Sequence, residues 1–245
     1  MTAIEYHRAE GVGVLRLNRP DRRNALDVAS YRALTAYLHQ AADDDDVAVL
    51  VLTGVGQGFC AGNDLDDFVR HPIRDDQHPA YRFMYALAAF PKPVVAAVEG
   101  AAVGIGCTLL LHCDLLYAGE GASFQMPFVQ LGLCPEFAAT ALLPALVGLP
   151  KASEWLLHGR AFDAREALAA GLLNDVVDKG DAYATAMASA QQLAASPREA
   201  LLATKALLRR SARATFDSAM AEELTALVRC QQTRAFQARL AALVG

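Results

Sequence analysis

The chain has 245 residues, a formal net charge of -5 and 54% hydrophobic residues, enough for one substantial core with an appended subdomain. Its 22 Lys and Arg are outnumbered by 27 Asp and Glu and form no cluster, which argues against nucleic acid or an anionic membrane as the main partner. No stretch approaches the roughly 20 apolar residues of a membrane span, and the N-terminus lacks a basic region followed by an apolar one, so the expectation is a soluble, unexported, cytoplasmic protein.

Residues 6–10 and 12–18 alternate around Gly11, which predicts a short hairpin ending at Pro20-Asp21. Asp27 is placed to cap a helix over 28–42, in which Tyr31, Leu34, Leu38 and Ala41 recur at helical spacing. The acidic run 43–46 reads as a solvated turn. The apolar run 47–52 predicts a strand buried on both faces, leading into a glycine-rich loop over 54–64. The spacing of those glycines does not match a dinucleotide fingerprint. Residues 69–79, polar with two prolines, read as a mobile segment before a helix over 81–90.

A second buried strand over 93–98 runs into Gly100-Ala101-Ala102-Val103-Gly104-Ile105-Gly106 and an apolar helix over 107–112. Small residues there let the backbone approach a ligand, and free N–H groups at a helix start attract a developing anion. A short strand over 114–118 follows. A helix over 136–147 has Pro135 near its first turn and Gly148 past its end. Strand, glycine turn and helix recur, implying an α/β core of repeated ββα-like units. Beyond a strand over 172–178, Ala- and Leu-rich helices over 181–195, 197–210 and 212–243 suggest a cover or an oligomer arm.

The five cysteines are odd in number, with no Cys-x-x-Cys pair and no His at metal spacing, so they read as reduced core thiols and no metal site is expected. His112 beside Cys113 suggests a nucleophile and base, but neighbours on a helix point in different directions.

The ordered set Leu17-Asn18-Arg19-Pro20 with Asn24-Ala25-Leu26, Gly58-Phe59-Cys60-Ala61-Gly62-Asn63-Asp64, and KPVVAAVEGAAVGIGCTLLLHCDLLYA from Lys92 to Ala118 resembles the enoyl-CoA hydratase/isomerase, or crotonase, superfamily. The resemblance implies an α/β crotonase-like spiral of ββα units over residues 1–189 and a C-terminal helical arm over 190–245. It also implies an acyl-CoA thioester substrate, no cofactor beyond the coenzyme A of that substrate, a role in fatty-acid β-oxidation, and a homotrimer or dimer of trimers. The backbone N–H groups of Asn63 and Ile105 would form the oxyanion hole, flanked by Ala61, Asp64 and Gly104. Asp64 also reads as a helix cap.

Hydratases of the family carry two glutamates, at positions held here by Thr108 and Phe128, neither of which transfers a proton usefully. Water addition needs an oriented water and two proton movements, so the site should be a poor hydratase. Glu136, in Gly132-Leu133-Cys134-Pro135-Glu136, matches the single catalytic glutamate of the 3-enoyl-CoA to 2-enoyl-CoA isomerase branch. Read without that context it is a first-turn acid complementing a helix dipole. Phe137 stands where the isomerase branch usually has glycine; it narrows the acyl pocket, alters chain-length preference or packs in the core. Glu99 is an outside candidate for the base.

Lys92, and Arg19 or Arg23, are basic groups suited to the adenosine phosphates, and Lys205 suits a nucleotide contact from the same or a neighbouring subunit. Each is otherwise an ordinary surface charge. Two alternatives stay open: hydratase or another proton-transferring acyl-CoA enzyme on this scaffold, and a non-catalytic acyl-CoA-binding homologue.

Overall fold

The structure is a computed structural model and describes residues 2–244. Strands Ile4–Ala9 (β1) and Val12–Leu17 (β2) pair antiparallel across Glu10-Gly11. Both loop residues have positive φ, 52° and 78°, the geometry whose twist matches a two-residue hairpin. Helix Val28–Asp43 (α1) starts where Asp27 accepts the Ser30 N–H and buries Tyr31, Leu34, Leu38 and Ala41. It crosses over to Val49–Gly54 (β3), which lies parallel to β2.

Helices Leu65–Arg70 (α2) and Pro79–Ala88 (α3) precede Val94–Val98 (β4). Short strand Ala101–Val103 (β5) and helix Ile105–Thr108 (α4) lead to Leu115–Gly119 (β6) and Ser123–Gln125 (β7). Helices Ala139–Val147 (α5) and Leu149–Ser153 (α6), strand Phe162–Asp163 (β8), helix Ala164–Ala169 (α7) and strand Asp175–Val177 (β9) follow. The chain closes with Ala182–Ala194 (α8), Arg198–Gln231 (α9) and Arg234–Val244 (α10).

A six-stranded sheet, ordered β1-β2-β3-β4-β6-β9, is parallel apart from the hairpin, and a smaller sheet is ordered β5-β7-β8. The units β4-β5 and β6-β7 each send a five-residue strand to the first sheet and a three-residue strand to the second. Burial on both faces explains the uninterrupted apolar runs of β3 and β4. Alternate residues Val49 and Val51 face a cluster with Val12, Val14 and Val95, closed by Ala182, Ala186 and Ala190 of α8. Leu50 and Leu52 face the main core with Leu34, Leu38 and Phe83. Three alanines four residues apart make a smooth stripe that lets α8 lie close on the sheet.

Three expectations are corrected. The helix read over 136–147 begins at Ala139, because Phe137 and Ala138 both adopt left-handed backbone, φ 66° and 55°. Helices read over 197–210 and 212–243 are instead one continuous α9 followed by α10. No glycine or proline interrupts 198–231, and the break comes at Gln232, after which the Thr233 hydroxyl accepts the Phe236 N–H. Residues 71–78 are an irregular and mostly exposed connection, as read, held at one point where Ile73 is buried and its carbonyl accepts from Gln231 Nε2 at 2.9 Å. Finally, α2, α6, α7, β5, β7 and β8 appear where loops or no regular element were read.

Candidate active site

Two turns meet at the C-terminal ends of β3 and β5. They are fastened by a bridge between Cys60 and Ala102, with Cys60 N–H donating to Ala101 O at 3.0 Å and Val103 N–H to Cys60 O at 2.8 Å. Gly62, at φ 95°, allows this approach: a Cβ there would stand 2.9 Å from Val103 O. At Gly106 a Cβ would stand 2.5 Å from Cys60 O, a separation real side chains do not tolerate.

The fastening leaves two donors free. Leu26 N–H reaches Gly62 O and Asp64 N–H reaches Leu26 O; Gly104 N–H reaches Gln125 O, while Cys107 and Thr108 N–H reach Gly104 O. Among the described residues, neither Asn63 N–H nor Ile105 N–H enters these turn and loop hydrogen bonds. The Tyr31 hydroxyl, fully buried on α1, donates to Asn63 Oδ1 and fixes that turn from behind. Ile105 is the first residue of α4, where an N–H has no intrahelical acceptor.

Both turns open on a cavity of about 250 Å³. Of the residues expected at the site, Ala61, Asn63, Gly104, Ile105, Phe128 and Glu136 line it. The rest of the wall is apolar and includes Leu65, Phe68, Leu131, Leu227, Phe236 and Leu240. Among the described residues, Glu136 is the one ionisable side chain in that wall. It is 2% exposed, and its Oε1 has no hydrogen-bond partner. Burial first, then the nearby Glu223 carboxylate, push its pKa up to about 8. The helix-dipole reading of Glu136 fails, because Glu136 precedes the left-handed turn and lies outside α5.

Other expected residues lie elsewhere. Phe137 is fully buried in the core, stacked on His112 at 3.8 Å and edge-on to Phe83 and Phe216, so it does not narrow the acyl pocket. Thr108 is fully buried with an unpartnered hydroxyl and is absent from the cavity wall. Asp64 caps α2 through Asp67 N–H and pairs with Arg19 at 2.9 Å, which satisfies its carboxylate. Lys92 is 2% exposed, its ammonium held at the C-terminal end of α1 by Ala41 O at 2.6 Å and Asp44 O at 2.7 Å. Lys205 pairs with Asp114 at 2.8 Å and donates to Lys92 O, lining a different cavity with Arg209 and Phe216. Neither lysine reaches the Glu136 cavity.

Arg23 remains beside the cavity: its side chain is exposed, and its carbonyl accepts the N–H of Ala61 at 3.0 Å. Glu99 accepts from Gly180 and Ala182 N–H at the start of α8, away from the cavity. His112 and Cys113 form no catalytic pair. The His112 Nε2–H donates to Phe137 O at 2.9 Å, burial lowers its pKa to about 3, and Cys113 is buried with its thiol raised to about 12.

Sequence reading missed Tyr31 and Glu223 as supports and the α9 and α10 residues as cavity wall. Tyr31 carried only the signal of a core helix position. Leu227, Phe236 and Leu240 come from more than 90 residues beyond Glu136, and nothing local to them marks a pocket.

The chain is similar to known proteins along nearly its whole length. The family model for enoyl-CoA hydratase/isomerase matches residues 7–244. The 2,3-dehydroadipyl-CoA hydratase of Escherichia coli is 36% identical over 91% of this chain and 88% of its own, and the 1,2-epoxyphenylacetyl-CoA isomerase of the same organism is 39% identical over 80% and 78%. The structure of Pseudomonas aeruginosa OdaA superimposes with a TM-score of 0.96 at 37% identity, covering 100% of this chain and 99% of that one. With the family model matching nearly the whole chain, relatives of 36% and 39% identity and the same α/β fold with its helical arm, this protein belongs to the enoyl-CoA hydratase/isomerase family.

Proposed function

We propose that the protein isomerises 3-enoyl-CoA to 2-enoyl-CoA thioesters, with Glu136 as a single proton shuttle. The observation that carries this reading is that, among the described residues, Glu136 is the one ionisable side chain in an otherwise apolar cavity wall. The thioester carbonyl accepts from Asn63 and Ile105 N–H, which withdraws electron density and acidifies C2. The Glu136 carboxylate removes a C2 proton, the C2–H pair enters the carbonyl as a dienolate, and the N–H pair holds the resulting oxyanion. The same carboxyl returns the proton to C4, leaving a double bond between C2 and C3 in conjugation with the carbonyl. Arg23 is the cation best placed to meet a coenzyme A phosphate, and no further cofactor enters the reaction.

Hydration is the second reading, favoured by the 36% identity to 2,3-dehydroadipyl-CoA hydratase. It needs a second group to orient water and move a proton. Phe128 supplies no such group, and Thr108 stands outside the wall. The test pairs 3-hexenoyl-CoA with crotonyl-CoA. The isomerase reading expects conversion of the first and its loss in Glu136→Gln, with little hydration of the second. Efficient hydration of crotonyl-CoA that survives Glu136→Gln overturns it, and binding of both without turnover favours a non-catalytic role.

A further inference from the structure

Glu223 belongs to the long arm helix α9, yet its carboxylate is 5% exposed and meets no cation among the described residues. Its Oε2 accepts the Ala138 N–H at 2.7 Å. Its Oε1 accepts the Thr140 N–H at 2.9 Å and the Thr140 hydroxyl at 2.7 Å. These N–H groups open α5, whose N-cap residue Ala138 has no side-chain acceptor of its own. A distant glutamate therefore supplies the cap that the local sequence omits.

What it caps is the turn that follows Glu136. Phe137 and Ala138 both have positive φ, a conformation that residues with a Cβ adopt only when their surroundings impose it. The turn sends Phe137 into the core, where His112 takes its carbonyl, and leaves Glu136 in the cavity wall. One turn further along α9, Leu227 lines the same cavity. One helix face thus holds both the backbone behind the acid and part of the acyl wall.

We propose that Glu223 is a positioning residue for Glu136: it holds the left-handed turn that aims the Glu136 carboxylate into the acyl cavity and ties that aim to the seating of the arm helix. The inference rests on Glu136 being the base. Glu223 is also the acidic neighbour of that base, and burial raises its own pKa against the three hydrogen bonds from Thr140 and Ala138 that lower it. The other titratable groups coupled to Glu136 are Tyr31 on α1, Tyr81 on α3 and Cys134 in the preceding loop, and burial pushes all three upward. They stay neutral through the working pH range, so Glu223 is the acid that, after burial, raises the Glu136 pKa.

Glu223→Gln tests this. Glutamine keeps the length but loses the charge, and it cannot accept from Ala138 and Thr140 together. The expected result is kcat lower by roughly 10- to 100-fold with KM for 3-hexenoyl-CoA within about twofold, and the acid limb of the pH profile moved to lower pH. In a variant that circular dichroism shows to be folded, an unmoved limb or a wild-type kcat overturns the proposal. Should this variant fail to fold, Thr140→Val decides: it removes one of the three donors, and kcat a few-fold lower at unchanged KM supports the proposal while wild-type kcat overturns it. Glu136→Gln is run alongside. Its inactivity beside an unaffected Glu223→Gln overturns the positioning role alone, and its full activity overturns both readings.

Discussion

Burial of one carboxyl sets the chemistry and its cost at the residue scale. Glu136 has its pKa raised to about 8, so the base form is a minority at neutral pH. For isomerisation, kcat/KM is expected to rise with pH up to about 8 and to fall about tenfold per unit below it; a flat profile between pH 6 and 8 contradicts this. The same shift acts on stability. An acid whose folded pKa lies above its unfolded value gives stability that is complete below the unfolded pKa, near 4.5, and is lost as pH rises through the folded pKa. Glu136→Gln should therefore match the wild type in stability at pH 4–5 and exceed it at pH 8 by up to about 4 kcal/mol, measured by denaturant unfolding. Gly62→Ala should keep the fold but displace the Asn63 N–H, because its Cβ would press on Val103 O at 2.9 Å. Losing an oxyanion donor costs about 100- to 1000-fold in kcat, and a loss under threefold would remove Asn63 from the oxyanion hole.

At the scale of elements, Lys92 shows how a basic residue next to a buried strand becomes structural. Its ammonium satisfies two carbonyls at the C-terminal end of α1, one in the last turn and one at the cap, and its own carbonyl takes Lys205. Lys92→Met should cost about 2–4 kcal/mol by leaving those carbonyls unpaired while KM for acyl-CoA stays unchanged; a raised KM with an unchanged Tm would return Lys92 to the binding surface. This residue also marks the limit of what the sequence discloses. α1, β3, β4 and the hairpin were legible because each carries its own periodicity and stop signals, with Asp27 capping as expected. The two glycine turns and Glu136 were legible through their motifs. The two- and three-residue strands β5, β7 and β8 were not, since so short a pairing leaves no period to detect. The start of α5 was misread because Pro135 imitates a helix N-terminus, whereas tertiary bonds from His112 and Glu223 force the left-handed turn after it.

The whole molecule divides between a spiral that presents the turns and an arm that finishes the cavity. α9, about 50 Å long at 1.5 Å per residue, supplies Leu227, and α10 supplies Phe236 and Leu240. Along α9, Leu207 and Leu208 stand 65% and 74% exposed in the single chain, unusual for apolar side chains so close together. We propose that an assembly of three or six chains covers this face, and light scattering should then return the corresponding multiple of 26.1 kDa. A monomer at working concentration contradicts the assembly but leaves the cavity intact, since α10 closes it within the same chain.

The central claim is that one buried carboxyl carries a proton from C2 to C4. Its most direct measurement uses 3-hexenoyl-CoA deuterated at C2 and follows the label in product formed at early times. Glu136 is 2% exposed, which shields its proton from exchange with water, so the account predicts deuterium at C4 in a measurable fraction of the 2-hexenoyl-CoA. Product whose C4 gains only solvent hydrogen, formed equally well by Glu136→Gln, would contradict it.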